Sequence, residues 1–359
     1  MSLEPTVENT TIKPQRISAK HVNRLKVLGA VLTLAGVGLF SYFVYSVGLD
    51  EILKNIQKFG IAGFAIILVL YFIRIVLRGE AWKLSVYEPY SLSIRDTVPA
   101  VIIGEAMSTM LPLGILVSGT SKAVAVRKSV PIVVGLSSVA TENLFYSFTT
   151  SIFLILGAYT FLRNFQLDDA LALSIDLLII MLLVLLVLGI VMVIRQWHFA
   201  SETCEWLYRK NIGRRWLEHT RSEVRLFENL IYGFYRRYPR RFVPICLIET
   251  AFHLLGVVEV WFILSRISEN ASVMNAFLLE SVSRLITILF KLVPFLIGVD
   301  EAGAQYVAET VAAGIGIGVT LAIIRRGRIL FWTAIGLILI LKRGMTPGQI
   351  SKAAEDGRD

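Results

Sequence analysis

The stretch IRDTVPAVIIGEAMSTMLPLGILVSGTSKAVAVRK, positions 94–128, decides how this chain is laid out. It is apolar enough to enter a membrane, yet Pro99, Pro112 and Gly114 interrupt it. No uninterrupted helix of the roughly 20 residues that a span needs fits between those breaks. Its flanks can be placed from charge. Residues 1–26 carry Lys13, Arg16, Lys20, Arg24 and Lys26 against two Glu, and residues 195–241 carry eleven Lys/Arg against five Glu. Together these two segments account for the whole formal net charge of +9. The positive-inside rule puts both in the cytoplasm. The connections 48–60, 162–170 and 265–272 are balanced or acidic and fit the outer side. Apolar run 25–47 then goes out, 61–78 returns, 131–161 goes out to Asp168 and Asp169, and 171–194 returns. Residues 78 and 130 lie on one side, so 94–128 must enter and leave by the same face. It is predicted to be a re-entrant hairpin of two short helices, tolerable only where protein or a water-lined cavity satisfies its backbone.

Composition agrees with a bilayer as solvent. Of 359 residues 55% are hydrophobic and 18% charged, with a mean hydropathy of +0.67, against about 25% charged in soluble chains. A water-soluble enzyme is excluded. The first 24 residues are polar and offer no early apolar core with a small-residue cleavage site, so 25–47 reads as a retained span. Cys204 and Cys246 show no pairing pattern, and the four histidines lack ligand spacing. No disulfide, metal or cofactor is expected.

The second half repeats the first in reverse. Run 242–264 goes out, 272–312 is broken at Pro294, Gly298 and Gly303, and 313–341 returns to Lys342 and Arg343. Pro112 precedes Pro131 by 19 residues and Glu142 by 30; Pro294 precedes Ala313 by 19 and Arg325 by 31. The expected fold is an all-α integral membrane protein with about six full spans and two re-entrant hairpins, arranged as an inverted repeat. About eight spans, with a long 273–296 helix, fit the hydropathy nearly as well. The domain is placed at 25–343, between cytoplasmic tails 1–24 and 344–359.

Ionisable groups at membrane depth cost about 2.5–3.5 kcal/mol each on insertion scales, so several together imply pairing or a polar interior. Ser138, Glu142, Tyr146 and Thr149 form one helical stripe; Glu280, Arg284, Thr287 and Lys291 form another. Glu249 and His253 are an i,i+4 pair, as are Arg74 and Arg78, and Arg325, Arg326 and Arg328 interrupt the last apolar run. One reading is a groove in which Arg284, Lys291, Arg325 and Arg326 bind phosphate while Glu142, Glu280 and Glu301 balance them. The other is static ion pairing between helices. Arg74 and Arg78 are weaker candidates that could snorkel to the surface. Freed N–H groups at the breaks are a further anion site, at Gly119-Thr120-Ser121-Lys122 and at Gly298 to Gly303 with Asp300, downstream of Pro294. The basic, aromatic segment 195–241 is expected on the anionic leaflet as interfacial helices, not on nucleic acid.

Leu111-Pro112-Leu113-Gly114 with Gly119-Thr120-Ser121-Lys122 and Arg127, the Glu142-Asn143 step, and Val293-Pro294 to Ile297-Gly298-Val299-Asp300-Glu301-Ala302-Gly303 with Arg325 resemble the lysylphosphatidylglycerol synthase transmembrane-region family, the flippase-like membrane proteins of bacteria and archaea. The resemblance covers about residues 20–343. It implies movement of lipids between leaflets of the plasma membrane, with relatives in hopanoid and lipid-linked sugar gene sets, and a membrane lipid, anionic or lipid-linked, as partner. The soluble aminoacyltransferase domain of the synthases is not part of this chain. Thr120-Ser121 stand where the family places an acidic residue, and Asn143 where Arg is common, so the head group taken by the first half is expected to differ. A transport-type protein is expected rather than an enzyme. The alternatives are a membrane transferase using Glu142, Asp300 or Glu301 as a base, and a scaffold subunit docking through 195–241; an oligomer is compatible with each.

Overall fold

A computed structural model describes residues 37–110, 114–165, 168–196, 198–210, 224–225, 228–229, 231–289, 298–314 and 316–342. Among them there is no strand. The helices are α1 (Val37–Val47), α2 (Leu49–Leu84), α3 (Ile94–Met110), α4 (Gly114–Ala125), α5 (Ile132–Asn164), α6 (Asp169–Arg195), α7 (Phe199–Arg209) and a short α8 at 231–237. After a 3-10 turn at Pro239–Arg241 come α9 (Phe242–Ile267), α10 (Val273–Leu289), α11 (Val299–Thr310) and α12 (Ile317–Lys342). By length and composition, Leu49–Leu84, Ile132–Asn164, Ala172–Arg195 and Pro239–Ile267 can cross a membrane. The chain is a multi-pass membrane protein. Of the two other expected spans, residues 25–36 lie outside the described residues; α12 has the length, but Arg325, Arg326 and Arg328 interrupt its apolar run.

One expected connection is corrected. Residues 48–60 are not a loop: Leu49 to Phe59 is helical, with Ile52, Asn55 and Phe59 buried along one face. No proline interrupts that segment, and its spacing is helical. The chain bends instead at Gly60, whose φ of 70° lies in the left-handed region that glycine alone enters cheaply.

Pro99 does not break 94–128: it lies inside α3, close enough to its start that one lost backbone bond is tolerated. Pro112 lies outside the described residues, and Gly114 opens α4. The segment forms α3 and α4, of 17 and 12 residues, packed against each other. At 1.5 Å per residue, α4 extends about 18 Å, well short of the ~30 Å hydrocarbon core. The second half reproduces this with α10 and α11, again 17 and 12 residues. The packing obeys the same correspondence of α2–α5 with α9–α12. The helix α3 lies on α2, α4 and α12, and α10 lies on α9, α11 and α5; α4 lies on α5, and α11 on α12; α2 and α9 pack on each other across the axis. This is an internal two-fold repeat, and α6, between the halves, packs chiefly on α5. The apolar window of α6 has a mean hydropathy of 3.6 and is largely exposed, with Leu182 buried, as a lipid-facing helix requires.

Glycine permits a close helix contact at the same place in each repeat. On α5, Gly135 sits where a Cβ would lie 3.2 Å from Ala123 Cβ of α4; on α12, a Cβ at Gly318 would collide with the backbone of Ala304 and Gln305 of α11. Gly135 and Glu142 are seven residues apart, as are Gly318 and Arg325, so both halves use one packing register. Apolar layers complete each half: Ile75, Trp82, Val101 and Val139 in the first, and Val260, Leu264, Leu279, Val307 and Leu321 in the second.

Arg241 anchors the basic segment by donating to the carbonyls of Leu84 and Val86 at the end of α2 and pairing with Glu88, the use of cations favoured at helix C-termini. Gly318→Ala should lower the stability of the detergent-purified chain by about 1–3 kcal/mol and Gly135→Ala by less, read from thermal unfolding. Equal losses would show that the α11–α12 contact yields as readily as α4–α5.

Candidate functional site

On α12 the spacing sorts the arginines. Arg325 and Arg328, three residues apart, share a face, and Arg326 lies about 100° away. Arg326 accordingly pairs with Glu301 of α11 at 2.6 Å, whereas Arg325 reaches Glu280 of α10 at 2.8 Å and Arg328 pairs with Glu259 of α9. Glu280 also accepts from Arg284 on its own helix at 2.8 Å and faces Arg74 of α2 at 3.4 Å. Arg74 completes a ring by pairing with Glu259 at 3.1 Å. Arg74, Glu259 and Glu280 are each 0% exposed. Gly256 makes room for this ring, since a Cβ there would strike the Glu280 carboxylate.

The first repeat builds a second, smaller cluster. Glu142 of α5 pairs with Arg78 of α2 at 2.6 Å and lies 3.8 Å from Lys122 of α4. Arg78 lies over the Tyr146 ring at 4.2 Å, and the Tyr146 hydroxyl is 3.5 Å from Arg284, so Tyr146 joins the two clusters. Ser138, one turn before Glu142, accepts from the Trp82 indole at 2.9 Å. Gly104 of α3 clears space for Lys122; a Cβ there would come within 2.8 Å of Lys122 Cγ.

Between the clusters lies a cavity of about 270 Å³. Every repeat helix except α9 lines it. Arg78 and Lys122 come from the first half and Arg284, Arg325 and Arg328 from the second; the acids on its wall are Glu105 and Asp300. Hydroxyls of Ser108, Thr109, Ser118, Ser283, Thr287 and Thr333, with Asn143 and Trp332, complete it. Glu142, Glu259 and Glu280 are not on the wall but behind the cations they hold. Cations therefore face the cavity while most of the compensating charge stays in the packing, an arrangement suited to an anion with hydrogen-bonding groups.

Of the residues singled out from sequence, Lys122, Arg284, Asp300 and Arg325 meet at the cavity, with Glu142 behind it. Glu301, Arg326 and Gly298 do not line it. Lys291 and Pro294 lie outside the described residues. Three readings are corrected. Arg74 does not snorkel: it is fully buried at the centre of the ring, because α9 and α10 present carboxylates to it. Gly119 to Lys122 offer no freed N–H groups, since they lie in the second half of α4, where backbone donors are spent on the helix. At Gly298 the N–H is taken by Glu301 Oε2 at 2.8 Å, a local cap on α11. Missed in the sequence were Glu105, Glu259 and Tyr71, whose hydroxyl donates to Glu105 at 3.0 Å; Arg328, noted there as an intramembrane charge but not as a binding residue, also lines the cavity. Glu259 lies about 80° around α9 from Glu249 and about 120° from His253, off the stripe those two form, so spacing gave no signal for it.

The family model described as the lysylphosphatidylglycerol synthase TM region matches residues 26–336, and the chain belongs to that family. Among curated proteins and among solved structures, none matches it.

Glu280→Gln leaves Arg74, Arg284 and Arg325 without their common carboxylate. A loss of about 3–5 kcal/mol is expected, as for other broken buried ion pairs, measured by thermal unfolding in detergent. A variant as stable as wild type would show that water already screens the ring.

Proposed function

We propose that this member of the lysylphosphatidylglycerol synthase TM region family moves anionic, phosphate-bearing lipid head groups between leaflets through the cavity between its two repeats. One observation carries the reading: cations from both halves, Arg78 and Lys122 on one side and Arg284, Arg325 and Arg328 on the other, converge on one polar space. A head group held first by one set and then by the other crosses the packing without leaving a charge uncompensated. Arginine forks grip phosphate oxygens, the lysine supplies a point charge, and the hydroxyls and Asn143 receive glycerol or sugar hydroxyls. Acyl chains stay in lipid, outside the cavity. Membership of a family concerned with membrane lipids supports the same partner.

In this scheme residues 25–343 are the translocating unit of a plasma-membrane protein with both termini in the cytoplasm, and 195–241 rests on the anionic leaflet. Exposed Trp206, with Lys210 over its ring at 4.2 Å, suits such an interface. Arg326, and Lys291 outside the described residues, are secondary head-group contacts in this scheme.

The test is reconstitution of the full chain into phosphatidylcholine vesicles carrying fluorescent phosphatidylglycerol or fluorescent phosphatidylcholine, following leaflet exchange. Wild type should accelerate phosphatidylglycerol exchange. Arg325→Ala removes a charged hydrogen-bonding group worth about 1.5–3 kcal/mol and should slow exchange roughly tenfold to a hundredfold. Absence of exchange for either lipid from folded protein would overturn translocation.

A further inference from the structure

Glu249 of α9 stands apart from the other interior carboxylates. It is fully buried, and no N–H or hydroxyl donor reaches either of its carboxyl oxygens. No ion pair ends on it among the described residues, whereas Glu142, Glu259, Glu280 and Glu301 each hold at least one cation. Tyr146 of α5 and His253 of α9 stack with ring centroids 5.5 Å apart, and one turn before them on the same faces stand Glu142 and Glu249, so Glu142 is the acid that the packing sets against Glu249. Ionised carboxylates only accept hydrogen bonds, so two buried ones face each other only with a proton between them.

The surroundings leave these two acids as the exchangeable pair. Arg78 from α2 is committed to Glu142. Lys122 from α4, at 3.8 Å, is beyond hydrogen-bonding distance of Glu142 and faces the cavity. On α5 itself, Tyr146 lies under Arg78. On α9, His253 is held by Thr150 at 3.0 Å and stacked on Phe153, and Cys246 sits one turn before Glu249. From α10, Arg284 is spent on Glu280, and Glu105 of α3 accepts from Tyr71. Arg74 and Arg328, from α2 and α12, belong to the Glu259–Glu280 ring. The charged residues of α6, Asp169, Asp176 and Arg195, are exposed.

We propose that Glu142 and Glu249 hold one proton between them in the resting protein, and that this proton sets the charge which the Arg78–Lys122 end of the cavity offers to an anion. With the proton, two cations face one negative charge and a single positive charge is left for a monoanionic head group. Without it, the second carboxylate cancels that excess and the anion is released. Proton and anion therefore occupy the protein together, each raising the affinity for the other. The coupling rests on the head-group reading above; the shared proton does not.

The experiment is calorimetric binding of dihexanoyl phosphatidylglycerol, a phosphodiester that stays monoanionic, to the detergent-purified full chain between about pH 6 and pH 10. Wild-type affinity should fall with rising pH, by up to about tenfold per unit once the pair loses its proton, the slope for one linked proton. Glu249→Gln, which cannot become the second negative charge, should bind with little dependence on pH, and Lys122→Arg should keep the wild-type slope. A Glu249→Gln protein with the wild-type slope, together with a flat Lys122→Arg, would assign the dependence to the lysine and overturn the proposal. Infrared spectra of the unliganded chain supply the independent reading: a protonated-carboxyl C=O stretch should be present in wild type, titrate with the affinity, and vanish in Glu249→Gln. Absence of that band overturns the proton pair whatever the lipid does. If the band is present but phosphatidylglycerol is not bound at any pH, the head-group reading falls, and the coupling with it.

Discussion

Glu280 is the carboxylate on which the interior depends. Three guanidiniums from three helices, Arg74, Arg284 and Arg325, converge on it, and no water-facing escape exists for a group that is 0% exposed. A lone carboxylate in such a place would carry a solvation cost of several kcal/mol, so the positions of α2, α10 and α12 are tied to one another. Glu259 extends the constraint to α9 through Arg74 and Arg328. Helix packing in a bilayer has little hydrophobic drive. A run of ion pairs that starts and ends on α12 is one of the few devices that can specify which faces of largely apolar helices meet.

The two repeats share packing and differ in chemistry. Gly135 and Gly318 place the second hairpin helix against the following long helix in the same register. Seven residues on, the first half has an acid, Glu142, and the second a base, Arg325. In the first half the short helix answers with a base, Lys122, and in the second with an acid, Glu301, which meets Arg326. Duplicated geometry with exchanged charge gives one cavity two unlike ends. One end is held by the ring and heavily compensated. The other has a single committed cation, Arg78, and a loosely paired lysine, Lys122.

Sequence alone determined the solvent, the breaks and the repeat. Hydropathy, the positions of Gly114 and Gly298, and the two basic segments are local properties, and local properties suffice to set most of where helices start and stop, though not at Pro99, which α3 absorbs. They do not set which side of a helix faces inward when nearly every side is apolar. The helices α2 and α9 are of that kind, so periodicity could not separate a buried Arg74 from one reaching the surface, nor single out Glu259. The structure brings Arg74 to Glu259 across 185 residues and to Glu280 across 206, distances over which spacing carries no information. Which charges meet, which face the cavity and which stand behind it were decided only by tertiary packing, because a buried charge is stabilised by the particular partner that the fold brings to it.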